Sequence, residues 1–329
     1  MKAHITEKIF RIIDEDSFQA CMIDVFRLQS AGNPVYREFI RNLGVRPEDV
    51  TQYEQIPFLP AELFRNNRII TGTSDPEIVF ESSGTTGSAV SRHYVTDVSL
   101  YERSLLQAFT LFYGDPSEYL IAALLPSYTE REHSSLVYMV KNLTGRSMAP
   151  GSGFYRDNPE SLIEIIISAR DRGQKVILIG VSFALLDIAE KFSPDLHDII
   201  IMETGGMKGR RKEITRHELH SVLTRAFNVE VIHSEYGMTE LLSQAYSKGE
   251  GIFWSPPWMK IVIRDPLDPL SLIKERGVTG AINIIDLANI NSCSFLATGD
   301  LGKVHKDGSF EVQGRIDNSD IRGCNLMME

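Results

Sequence analysis

The chain has 329 residues, 43% of them hydrophobic, enough for one large domain or two ordinary ones around a sizeable core. A formal net charge of -10 excludes a broad nucleic-acid or anionic-membrane surface, which needs clustered Lys and Arg. Cys21, Cys293 and Cys324 are an odd, scattered set that fits neither a disulfide framework nor a CxxC metal pattern, so a reducing compartment is expected.

Residues 1–76 are expected to form an N-terminal helical cap, with helices over 6–13 and 17–30, followed by breaks at Pro34, Pro47, Pro57 and Pro60. Lys2, His4, Glu7 and Lys8 leave no apolar stretch there for a signal peptide. From 77 to 250, short apolar runs alternate with amphipathic segments, the pattern of a mainly parallel α/β sheet. Strands are predicted at 78–81, 119–125, 176–179, 199–203 and 229–233, most of them apolar throughout and therefore buried on both faces. A helix begins near Thr96 or Asp97, carries Val98, Tyr101, Leu105, Phe109 and Phe112 on one face, and stops at Gly114. The longest apolar run, 176–186, falls short of the roughly 20 residues that span a bilayer, so a cytoplasmic protein is expected. Residues 251–313 read as a β-rich subdomain with strands at 260–264, 281–285, 301–305 and 309–312, Lys306-Asp307-Gly308 making a hairpin turn. Residues 314–329 are a hinge and a short C-terminal stub, the whole forming one compact α/β unit.

Four short motifs carry chemistry. Ser82-Ser83-Gly84-Thr85-Thr86-Gly87 follows a strand, and small, hydroxyl-rich residues let a phosphate approach the backbone; the same residues also suit an exposed linker. No Gly-Lys-Ser/Thr ending makes it a Walker A loop. Ser234-Glu235-Tyr236-Gly237-Met238-Thr239-Glu240 places an aromatic, a glycine, a hydroxyl and a carboxylate at a strand end, suited to a base, a phosphate and Mg2+, or alternatively to a capped helix start. Thr298-Gly299-Asp300 offers a carboxylate for ribose hydroxyls or simply a turn ahead of a strand. Gly314-Arg315-Ile316-Asp317 offers a fixed cation and a pivot, or a surface loop.

In this order and spacing the four motifs resemble those of the adenylate-forming superfamily of acyl-CoA synthetases, peptide-synthetase adenylation domains and firefly luciferase. More narrowly, Ile56-Pro57-Phe58-Leu59-Pro60, Pro126-Ser127-Tyr128, the run 134–139 and Arg322-Gly323-Cys324-Asn325 resemble the acyl-protein synthetases of bacterial luminescence fatty-acid reductase complexes. The resemblance covers nearly the whole chain. It implies ATP and Mg2+, with Ser82, Ser83, Gly84, Thr85, Thr86 and Gly87 around the triphosphate. Tyr236 and Gly237 would lie against adenine, Thr239 on the α-phosphate and Glu240 on Mg2+. Asp300 and Arg315 would bind the ribose, while Gly205 and Gly206 would let the nucleotide lie flat. Val181, Phe183, Tyr128 and Met207 are placed for an apolar acyl slot, with core packing the alternative.

Two features depart from the family. Ala89-Val90-Ser91-Arg92-His93 stands where many relatives have Pro-Lys, and Arg92 is either a substitute cation or a solvated charge. The sequence stops soon after the hinge, where relatives continue for about a hundred residues with a catalytic lysine, an ordinary small domain in size. The basic stretch with Lys208, Arg210, Arg211 and Lys212 is either a substitute or a solvated loop. The resemblance also implies Cys324 as an internal acyl acceptor, serving an acyl-CoA-reductase-like partner. The expected activity is activation of a carboxylic acid, a fatty acid by this resemblance, as its acyl-AMP. A coenzyme A ligase of the phenylacetate type and a catalytically lapsed nucleotide-binding regulator remain open alternatives.

Overall fold

A computed structural model describes residues 2–82, 90–125, 133–155, 157–205 and 214–316. Eight helices occur among them: α1 (Lys2–Ile9), α2 (Glu15–Gly32), α3 (Pro34–Asn42), α4 (Val98–Tyr113), α5 (Ser135–Arg146), α6 (Pro159–Asp171), α7 (Ser182–Phe192) and α8 (Arg216–Phe227). The strands begin with β1 (Leu59–Pro60), β2 (Ile78–Glu81), β3 (Arg92–Val95), β4 (Tyr119–Leu124), β5 (Gly153–Phe154), β6 (Lys175–Val181) and β7 (Ile200–Thr204). They continue with β8 (His233–Tyr236), β9 (Ala245–Ser247), β10 (Ile252–Trp254), β11 (Met259–Arg264), β12 (Gly280–Asp286), β13 (Phe295–Val304) and β14 (Phe310–Arg315).

One mixed sheet of 12 strands runs β11-β12-β13-β14-β10-β9-β8-β7-β6-β4-β5, with β1 added in parallel to β13. From β8 to β5 the pairings are parallel; from β8 to β11 they are antiparallel. The strands expected as a β-rich subdomain are thus hydrogen-bonded into the same sheet as the α/β core.

The parallel strands β4 and β6 are largely apolar because helices cover both faces. Leu120, Ala122 and Leu124 of β4 belong to a core with Leu162 and Ile166 of α6, Leu185 of α7 and Leu223 of α8. The alternate residues Ile121 and Ala123 belong to the other core, with Leu105 and Phe109 of α4 and Met139 of α5. Helix α4 starts where expected: Asp97 accepts from the Leu100 amide, and Gly114 closes the helix at φ 89°.

Several expected elements move, each for a local reason. The first helix is Lys2–Ile9 rather than 6–13, because Asp14 and Ser17 form a capping box that starts α2 and leaves Ile13 87% exposed. Pro34 opens α3 instead of breaking the chain: it sits in the first turn, and Asn33 accepts from the Tyr36 amide. β2 occupies the expected residues but pairs antiparallel with β3 in a separate two-stranded hairpin, outside the parallel sheet. The strand expected at 229–233 is His233–Tyr236; left-handed Asn228 (φ 52°) ends α8, and the ladder to β7 starts at His233. Thr298-Gly299-Asp300 lies within β13, not in a turn ahead of it.

The N-terminal helices dock on a buried polar segment between β12 and β13. Gln29 Nε2 donates to the Asn289 and Ile290 carbonyls, its Oε1 accepts from the Ser294 amide, and Asn33 Nδ2 donates to the Ser292 carbonyl. These bonds satisfy backbone groups that an irregular buried segment would otherwise leave without partners. Among the described residues no helix is long and apolar enough to cross a membrane.

Candidate active site

The expected site residues that fall among the described ones gather at the carboxyl ends of β7 and β8, beside β13 and β14. Crevices outside the carboxyl ends of parallel strands are where α/β sheets bind ligands. Tyr236 ends β8. Its ring meets Phe253 and Phe310 edge-on, at centroid distances of 6.0 and 5.9 Å. Its hydroxyl donates to Asp300 Oδ2 at 2.7 Å. Burial, with the neighbouring Asp300 carboxylate, holds the phenol well above its ordinary pKa, so it remains a donor.

Asp300 and Arg315 face each other across the β13–β14 ladder, and Arg315 Nε lies 3.4 Å from Asp300 Oδ1. The Arg315 side chain is 82% exposed, which leaves that ion pair solvated and exchangeable for a ligand. Asp300 is held from below: its amide donates to Thr298 Oγ1 (3.1 Å), and that hydroxyl donates to the Ile282 carbonyl (2.9 Å). The β13 position expected to be a turn is therefore a rigid strand that carries the carboxylate.

Glu240 lies in a turn after β8, not in a helix, and is 7% exposed. Burial raises its pKa; Glu62 adds to this, while a Ser91 hydrogen bond and Arg315 partly oppose it. The chemistry fits Mg2+, which binds through one or two carboxylates and fills its remaining positions with water and substrate phosphates. A group of three or more His, Cys, Asp or Glu able to cage a metal does not occur among the described residues.

At the other side of the turn, the Ser82 amide donates to the Ser91 carbonyl (3.1 Å) and the Ser91 amide to Ser82 Oγ (3.0 Å). Arg92 pairs with Glu81 Oε1 at 3.0 Å. Gly205 follows β7 with φ 70°, a conformation other residues rarely adopt, and its carbonyl accepts from Ser182 Oγ (2.5 Å). A Cβ on Gly237 would stand 2.5 Å from Glu235 Oε1, whose carboxylate accepts from Thr204 through its other oxygen at 2.5 Å, so a side chain there would push Glu235 aside. Val181 is buried in the core and Phe183 packs against it. Ser83, Gly84, Thr85, Thr86, Gly87, Tyr128, Gly206, Met207, Lys208, Arg210, Arg211, Lys212 and Cys324 lie outside the described residues.

The structure adds supports that the motifs did not point to. Asp286 accepts from the Leu242 amide (2.8 Å), the Ser243 amide (3.0 Å) and Ser243 Oγ (2.6 Å), fixing the chain just after Glu240. Asn289 Nδ2 donates to the Glu240 carbonyl (2.7 Å), and His93 Nδ1 lies 2.8 Å from the Thr239 carbonyl. A second buried group, around Glu203, takes Arg216 Nε at 3.2 Å and Ser182 Oγ at 3.1 Å, and Arg216 reaches the Val312 carbonyl of β14 at 2.7 Å. The available signal was the density of polar residues, Asp286 to Ser294, between two apolar strands.

Similar architecture recurs in solved structures. A 2-hydroxyisobutyryl-CoA ligase in a postadenylation state, in complex with R3-HIB-AMP, superposes with a TM-score of 0.65 at 12% identity, covering 92% of this chain and 68% of that one. ATP-bound MatB from Rhodopseudomonas palustris gives 0.53 at 19% identity, over 72% of this chain and 47% of its own. The fold is that of the adenylate-forming enzymes. A luciferase-like enzyme from the nonluminescent Zophobas morio mealworm gives 0.51 at 17% identity, over 80% of this chain and 63% of that one. The part matched is about half the length of the MatB structures. No protein-family model matches the sequence, and neither does any curated protein.

Proposed function

We propose that this adenylate-forming fold activates a carboxylic acid with ATP, giving an acyl-AMP and pyrophosphate. The observation that carries the reading is the convergence of Tyr236, Glu240, Asp300 and Arg315 at the carboxyl ends of the parallel strands. A carboxylate oxygen attacks the α-phosphorus, the bond to pyrophosphate breaks, and a mixed anhydride remains. Two anions must meet in line, so catalysis is a matter of alignment and charge neutralisation. Asp300, aimed by the Tyr236 hydroxyl, accepts the ribose hydroxyls, and Arg315 leaves the carboxylate to meet the sugar. Thr239 donates to the α-phosphate, residues 82–87 surround the triphosphate, and Gly205, Gly206 and Gly237 allow the nucleotide close to the backbone. Mg2+ held by Glu240 would offset the triphosphate's negative charge.

The acid is a fatty acid and the acceptor is Cys324, a reading supported by the subfamily-like segments at 56–60, 126–128, 134–139 and 322–325. The Cys324 thiolate attacks the acyl carbon, AMP leaves with the bonding pair, and the thioester then passes to an acyl-CoA-reductase-like partner. Incubation with ATP and radiolabelled fatty acid tests this: label is expected on the protein, sensitive to hydroxylamine and lost in Cys324→Ser, while pyrophosphate release persists. Label only on added coenzyme A would overturn the acceptor assignment, and label retained by Cys324→Ser would move it to another residue.

A further inference from the structure

The Thr239–Glu240 turn has no helix or strand of its own to hold it. Its two carbonyls are held instead by two buried side chains distant in sequence: His93 on the Thr239 oxygen at 2.8 Å and Asn289 Nδ2 on the Glu240 oxygen at 2.7 Å. A carbonyl only accepts, so His93 Nδ1 must carry the proton. The ring is enclosed, edge-on to Phe64 at 5.6 Å, and burial pulls its pKa down to about 4, so it is a neutral donor over the working pH range. Ser91 lies two residues before His93, just ahead of β3, and favours the charged form of the Glu240 carboxylate. This β-hairpin arm therefore bears on both residues of the turn. Ser91 also bonds reciprocally to Ser82 across the hairpin stem.

We infer that His93 is a positioning residue, which sets the Thr239–Glu240 turn, and through it the Glu240 carboxylate, in register with the stem that carries Ser82 and Ser91. The inference rests on the adenylation reading for its consequence and on geometry alone for the contact. Asn289 fixes the turn from the β12–β13 side, so losing His93 leaves the turn tethered at one carbonyl rather than two. The fold survives; the carboxylate loses its place.

Two substitutions separate positioning from packing. His93→Leu fills the space without a donor; His93→Asn places an amide Nδ2 near the position of the imidazole Nδ1. Hydrogen exchange over residues 237–242 is expected to quicken in His93→Leu and to return toward wild type in His93→Asn. In acid-dependent pyrophosphate exchange, His93→Leu should lower kcat by about 10- to 100-fold and raise the Mg2+ concentration for half-maximal rate, with the KM for the carboxylic acid unchanged. His93→Asn should recover most of both. Wild-type exchange protection in His93→Leu, or an Asn variant as impaired as the Leu variant, would overturn the assignment. A wild-type protein with no turnover would count against adenylation alone, and the hydrogen-exchange comparison would still decide whether His93 holds the turn.

Discussion

Replacing Glu240 with Gln is expected to reduce Mg2+-dependent adenylation by about 100- to 1000-fold, the usual range for removing one electrostatic stabiliser from an acyl- or phosphoryl-transfer site. The side chain is 7% exposed and Gln keeps its volume, so the thermal transition should stay close to wild type. The pH dependence adds a second check. Burial raises the Glu240 pKa, and only the ionised form attracts a cation. As pH falls, wild-type activity should therefore decline at a higher pH than an ordinary glutamate would give, and the residual activity of Glu240→Gln should lack that limb. Steady-state rates across pH at fixed Mg2+ measure both effects; an unchanged rate in the variant would remove Glu240 from the site.

The largest stability effect is expected at Asp286. Its carboxylate accepts from the Leu242 amide, the Ser243 amide and Ser243 Oγ, and the Trp258 indole in turn donates to Ser243 Oγ at 3.0 Å. Asp286→Ala strands three buried donors, which should cost about 3 to 5 kcal/mol. That is a large share of the roughly 5 to 15 kcal/mol that holds a domain together. Burial pushes the Asp286 pKa up to about 6, against the pull of its donors. Because the folded value lies above the ordinary aspartate value of about 4, the folded state binds the extra proton. The stability this contributes is fully present below about pH 4 and is lost as pH rises through about 6. Urea denaturation at several pH values should show that falling slope in wild type and not in Asp286→Ala; a variant within about 1 kcal/mol of wild type would contradict the assignment.

What could be read from the sequence followed local chemistry. Strands β4, β6 and β7 were legible because both faces pack on helices, leaving runs such as Tyr119–Leu124 apolar at every position. β8 was not legible, since His233, Ser234 and Glu235 look like surface residues until neighbouring strands supply their hydrogen bonds. Asp300 read as part of a turn because Thr-Gly-Asp favours turns in isolation, yet pairing with Arg315 of β14 keeps it extended. Tyr236, Glu240, Asp300 and Arg315 stood out only through the resemblance of their four motifs to a known family, and the fold brings Tyr236, Asp300 and Arg315 into contact. Their supports were invisible to a local reading. His93 lies 146 residues from Thr239, and Asn289 lies 49 from Glu240, so only the tertiary structure shows that they meet.

The polar supports hold the site where the parallel and antiparallel halves of the sheet meet. Asp300 stands on β13 and Arg315 on β14, opposite each other in the ladder that joins these strands. The Glu240 turn is tied to two separate segments, one carrying Asp286 and Asn289 and the other His93. Preorganisation of this kind lets a site stabilise developing charge without reorganising during the reaction.

The central claim is acid-dependent chemistry at the α-phosphate of ATP. Exchange of radiolabelled pyrophosphate into ATP, measured with Mg2+ and a panel of fatty and aryl carboxylic acids, tests it most directly. Exchange is expected to appear only when an accepted acid is added and to vanish in Glu240→Gln. ATP that binds tightly while no acid in the panel supports exchange would contradict the account.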